Sequence, residues 1–257
     1  MRMWQETRPD PGVPNPLPVA KILLGAVLLP WHQRARFAQA VAIPVLVQVL
    51  LMLAWQYSAL SLDVYANWLL YAIHLALYIL IAVRCHRLML LDPPEKLVWE
   101  LPRWGWRETR FAACILGLGA VFIAITMAGG TVIGTFAATV TPSGASWSNT
   151  TVNYSPYVAS ILAYYPISRL SLALPAQAID SIEGFKVLWR RSAGNSLRLC
   201  LVVGGLPLLF SYLMGLSYFS SQSPLPDIIY HVLTSIVVIV EVAALSLAYR
   251  ELRKQFP

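Results

Sequence analysis

Charge is what this sequence has least of. Asp, Glu, Lys and Arg together make 12% of its 257 residues, against about 25% in soluble domains. Hydrophobic residues make 58% and the mean hydropathy is +0.62. This balance excludes an ordinary soluble domain and puts the chain in the membrane class. Cysteine is also scarce. Cys85, Cys114 and Cys200 are odd in number and lack CxxC spacing, which argues against a disulfide framework or a zinc site. They read as small apolar residues in a reducing compartment. The N-terminus, MRMWQETRPDPGVPNPLP, lacks the basic, apolar, small-residue order of a cleaved signal peptide.

Enzyme signatures are missing as well. There is no Walker sequence and no GxGxxG. Ser143 in PSGAS lies in a loop, away from any strand–helix elbow. His32, His74, His86 and His231 have neither H-E-x-x-H spacing nor a nearby carboxylate pair. No enzymatic activity, metal or cofactor is therefore expected.

What is there is apolar length. Six stretches approach the roughly 20 residues that cross a hydrocarbon core: 37–58, 66–83, 111–140, 157–175, 199–219 and 228–249. Backbone polar groups in lipid must pair within the segment, so these are helices. The third stretch is long enough to tilt or to break at Gly129-Gly130. Pro44, Pro166 and Pro207 predict kinks or breaks in the first, fourth and fifth. The expected fold is an all-α membrane protein of six transmembrane helices, a single domain over 19–257. The five prolines from Pro9 to Pro18 predict a disordered cytoplasmic tail over 1–18.

The 19 basic residues are sharply segregated. They lie before the first stretch, between the second and third, around the loop between the fourth and fifth, and after the sixth. Loops 59–65, 141–156 and 220–227 have none. Cytoplasmic loops carry the Lys/Arg excess, so both termini are expected on the cytoplasmic side. Tryptophans agree: Trp55, Trp68 and Trp147 mark outer boundaries, while Trp31, Trp99, Trp104, Trp106 and Trp189 mark inner ones. The expected partners are anionic headgroups at the cytoplasmic face, or a membrane protein docked there, with no nucleic acid. The lipid-facing set is Trp31, Arg34, Arg36, Trp104, Trp106, Arg107, Arg110, Trp189, Arg190, Arg191 and Arg198.

Three amphipathic elements belong to that face. Val19–Leu29 is an apolar helix too short to span, ending at Pro30. The second is the Trp-rich loop at 90–111. In the third, RLSLALPAQAIDSIEGFKVLWRRSAGNSLRL (169–199), Pro175 ends or kinks the fourth stretch. Asp180 and Glu183 form a capping-box pattern, with Ser181 as an alternative cap. Ile182, Phe185 and Leu188 or Trp189 share one face of the helix that follows, and Gly194-Asn195 stops it. The segments LPWHQRARF, LPRWGWRETRF and LWRRSAGNSLRL, each leading into a stretch, suggest three repeated helical hairpins.

Inside the apolar stretches Glu241 is the one deep acid, about 13 Å from Arg250 by helix rise. Such a charge needs a partner or a proton. Arg169, at matching depth, is the expected partner, and His74 is the next ionisable group. These three form a candidate polar centre for proton or solute passage, or an interhelical clamp.

The 169–199 segment resembles one found in uncharacterised six-span bacterial inner-membrane proteins. Those are similar to the integral membrane domain of some bacterial glycerophosphodiester phosphodiesterases. The matching residues are Arg169-Leu170, Leu174-Pro175-Ala176, Ser181, Trp189-Arg190 and Gly194-Asn195. The resemblance implies an inner-membrane location. It implies no phosphodiesterase activity, since the membrane part uses up the length of the sequence.

Overall fold

A computed structural model describes residues 15–57, 64–91, 103–140, 147–181, 183–217 and 224–255. These residues form nine helices and no strand. They are α1 (Val19–His32), α2 (Arg34–Tyr57), α3 (Val64–Leu90), α4 (Trp106–Val140), α5 (Trp147–Leu170), α6 (Ala173–Ala178), α7 (Phe185–Arg191), α8 (Ser196–Ser217) and α9 (Pro224–Gln255). Four of them, α2, α3, α4 and α9, are long and apolar enough to cross a membrane. α5 and α8 occupy the expected fourth and fifth stretches. The first nine residues of α5, WSNTTVNYS, are mostly polar, which lowers its hydropathy.

Prolines and glycines break these helices less than expected. Pro44, Pro166 and Pro207 all lie within continuous helix. α4 runs unbroken through Gly129-Gly130 for 35 residues, about 52 Å. α1 passes Pro30 and ends at His32, where the Gln33 N–H bonds Leu29 O at 3.0 Å. So close to a helix end, proline forfeits one backbone bond and does not break the helix.

The glycines of α4 serve packing. A Cβ added at Gly129 would stand 3.1 Å from Ala159 Cβ, and one at Gly134 would stand 3.2 Å from Ser155 Oγ. Gly130 and Gly134 on α4, and Ser155, Ala159 and Ala163 on α5, are all buried and recur every fourth residue. Small residues let helix backbones approach closely in lipid, where hydrophobicity alone does not drive association.

α9 is the hub of the bundle. It packs against α1, α2, α3, α6 and α8. Its Ala243, Ala244 and Ala248 join Ile22 and Ala26 of α1, Ala173 and Ala176 of α6, and Leu199 of α8 in one core. Its Val242 joins a second core with Phe37, Ile79, Val83, Cys85 and Phe111 of α2, α3 and α4. The buried residues of α3 all lie between Leu77 and Leu88, toward its basic end.

The basic ends of the helices converge. The Arg84 guanidinium at the end of α3 donates to Ala40 O near the start of α2. Arg87, Arg107 and Arg110 reach one aspartate, and Arg191 and Arg253 reach one glutamate. Residues 15–18 of the expected tail are described. Leu17 is buried, its N–H donates to Asn195 Oδ1 at 2.8 Å, and Asn195 Nδ2 donates to Asn15 O. Residues 1–14 lie outside the described residues.

Candidate functional site

The basic end is built around two acids from the 169–199 segment. The capping-box expectation for Asp180 is overturned. Asp180 has φ 56° and closes the helix before it. Ser181 N–H bonds Ala176 O at 2.9 Å and Asp180 N–H bonds Gln177 O at 3.2 Å. This is a Schellman ending of α6 with aspartate at the position that favours glycine. A non-glycine residue there costs about 1–2 kcal/mol. The carboxylate offsets that cost by receiving Arg107 Nε at 2.8 Å, Arg110 Nη2, and Arg87 Nη1 at 3.7 Å.

Glu183 is not a cap either. Gly184 is the N-cap of α7 and no side chain caps that helix. Glu183 instead pairs with Arg191 Nη1 at 2.7 Å and accepts the Tyr249 hydroxyl at 3.0 Å, with Arg253 Nε at 3.8 Å. A surface cap is worth about 1 kcal/mol, which ion pairs to several partners outweigh. α7 therefore begins at Phe185, and Ile182 lies outside the described residues. Gly194 is left-handed at φ 78°, but α7 has already ended at Arg191 with Ser192 as its C-cap. A glutamate back-bond of the capping-box kind appears elsewhere: Gly105 N–H donates to Glu108 Oε2 at 2.9 Å, at the start of α4.

The expected Arg169–Glu241 centre does not form. Arg169 Nε donates to Ser192 Oγ at 2.8 Å and its Nη2 donates to Trp189 O. Its guanidinium carbon stands 3.7 Å over the Trp189 ring. The depth assigned to Arg169 assumed a helix running to Pro175. α5 ends at Leu170, the chain turns at Ser171-Leu172, and Pro175 lies inside α6. Arg169 is thus a helix-end residue that ties α5 to α7.

Glu241 instead lines a small chamber of ≈ 120 Å³ with Tyr78, His86 and Ser171. His86 is fully buried, with Nδ1 2.7 Å from Ser246 Oγ. Glu241 has no hydrogen bond or ion pair among the described residues. His74 lies three turns up α3 from His86 and is not among the residues that line the chamber. Its Nδ1 is buried without a partner among the described residues. The polar centre read from the sequence is therefore three separate places. Tyr78, His86 and Ser171 were missed because no spacing along the chain links them to Glu241.

The expected lipid-facing residues lie at the basic end. Trp31, Arg34 and Arg36 are exposed at the α1–α2 junction, with Arg34 5.9 Å over the Trp31 ring. Trp104 and Trp106 are exposed where α4 begins, beside Arg107 and Arg110. On α7, Phe185, Val187 and Trp189 are exposed with Lys186 and Arg190, while Arg191 turns inward to Glu183 and Leu188 is buried. Arg198 is half-buried at the start of α8. Trp68 is exposed near the opposite end of α3. Trp99 and the side chains of Trp55 and Trp147 lie outside what is described. No group of His, Cys, Asp and Glu suited to a metal ion occurs among the described residues. Comparison with protein-family models, with curated proteins and with solved structures finds no match to this chain.

Proposed function

We propose that this is a six-span inner-membrane protein of scaffold, assembly or envelope-maintenance type, without enzymatic activity. It acts through its cytoplasmic layer on anionic lipid or on a membrane-protein partner. α2, α3, α4, α5, α8 and α9 are the spans, and both termini, α1, α6 and α7 are cytoplasmic. One observation carries this reading: the arginine-rich ends of the long helices gather on one face and are tied together there by Asp180 and Glu183. That is the arrangement expected where a bundle meets anionic headgroups. The exposed Phe185, Val187 and Trp189 beside Lys186 and Arg190 give α7 the composition of an interfacial helix.

A solute carrier is the weaker reading. The chamber at Glu241 holds ≈ 120 Å³, well under the roughly 300–1,000 Å³ of small-molecule sites. Complementation of a deletion strain tests the choice. Charge reversal at Lys186 and Arg190 should abolish rescue, while Glu241→Gln should preserve it. Loss of rescue in Glu241→Gln, with the protein still folded and inserted, would favour transport.

A further inference from the structure

A groove of ≈ 560 Å³ runs between α4 and the elbow made by the end of α5, α6 and α7. α4 contributes Cys114, Gly117 and Val121 to its lining, and the elbow contributes Leu170 and Phe185. Arg110 and Gln177 also line it. From Arg110 to Val121, α4 rises about 16 Å. That is close to half of a hydrocarbon core about 30 Å thick, the depth of one leaflet. The groove floor is open: a Cβ added at Gly117 would meet nothing within 4 Å.

The polar end is cationic. Arg87, Arg107 and Arg110 gather on Asp180. Among the described residues a second carboxylate, Glu108, stands 3.9 Å from Arg107 Nη1 and is already engaged by the Gly105 N–H. Among the described residues, Arg107 and Arg110 thus share two carboxylates, Asp180 and Glu108, and Arg87 also reaches Asp180. The Arg107 and Arg110 side chains stay 30% and 40% exposed. Arg110 Nε is buried without a hydrogen-bond partner among the described residues. Guanidinium forks of this kind bind phosphate oxygens bidentately.

We propose that this groove holds one anionic glycerophospholipid. Its phosphate sits on Arg110 and Arg107, and one acyl chain lies along α4 from Cys114 to Val121. A zwitterionic lipid offers the same phosphate, but its own cation would stand against the arginine cluster. The proposal rests on the membrane reading above and names the lipid class that the cytoplasmic layer recognises.

The test uses the full chain reconstituted in phosphatidylcholine nanodiscs containing a minority of phosphatidylglycerol, then released for native mass spectrometry. One phosphatidylglycerol should remain on each protein. Gly117→Phe fills the open floor and leaves the arginines in place. It should lower retention about tenfold, with helix content and thermal midpoint unchanged. Arg107→Gln with Arg110→Gln should remove the preference for phosphatidylglycerol over phosphatidylcholine. Retention by Gly117→Phe equal to the parent would overturn the proposal. So would retention of both lipids in proportion to their abundance in the disc. A chain that fails to insert would overturn the membrane reading and this one with it. A chain that inserts but keeps no lipid sinks the groove alone.

Discussion

Asp180 shows how one residue can take a role that its local pattern does not announce. In sequence it begins a D-x-x-E cap. In the fold it ends α6 in a left-handed conformation and gathers three arginines. Backbone and charge can be separated by substitution. Asp180→Ala loses the carboxylate and keeps the backbone cost. Asp180→Asn loses the charge but tolerates the conformation, and Asp180→Gly relieves it. With the carboxylate 41% exposed, screening limits its pairs to about 1 kcal/mol. The destabilisation should rank Ala, then Asn, then Gly, read as thermal midpoints in detergent; equal midpoints for Ala and Gly would show no backbone cost at Asp180. Arg169 gives a second test. Arg169→Ala removes a buried guanidinium with two hydrogen bonds and an aromatic stack, a loss of about 2–3 kcal/mol. Arg169→Lys should recover only part of it. Because Arg169 and Glu241 share no partner, Arg169→Ala and Glu241→Gln should be additive. A coupling above about 0.5 kcal/mol would restore the pairing that the sequence suggested.

Elements were more legible than roles. Each apolar stretch is helical where it is described, the fourth divided between α5 and α6, and α1 is too short to span, at 14 residues. Helix ends were less legible. α5 stops at Leu170, short of Pro175, because the chain turns so that α6 and α7 can pack back on the bundle. What looked like a break at Gly129-Gly130 is a contact surface, since a glycine read alone does not reveal which backbone approaches it. Gly129→Leu should push α4 from α5 and cost about 1–3 kcal/mol. Gly119→Ala, where a Cβ would meet nothing within 4 Å, should be neutral or slightly stabilising. Thermal unfolding of the two variants side by side checks this; similar midpoints would mean that the α4–α5 contact is not close-packed.

At the scale of the whole molecule, orientation is the property to test. A single cysteine at Ser143, with the native cysteines replaced by alanine, should react with a membrane-impermeant maleimide in intact spheroplasts. One at Lys186 should react only after permeabilisation. The reverse pattern would invert the topology and move the arginine face outside.

Helical structure, a composition suited to a membrane and the segregation of the basic residues can all be read along the chain. Those properties follow from composition and from spacing along one segment, because each helix closes its own backbone bonds. Which charges meet is set by the packing of the helices. Asp180 and Glu183 find arginines from α3, α4, α7 and α9, Arg169 finds Trp189, and Glu241 shares a chamber with His86. Pairing depends on where helices end and on which faces small residues bring together. Neither quantity is periodic in the chain, so no spacing rule could supply it.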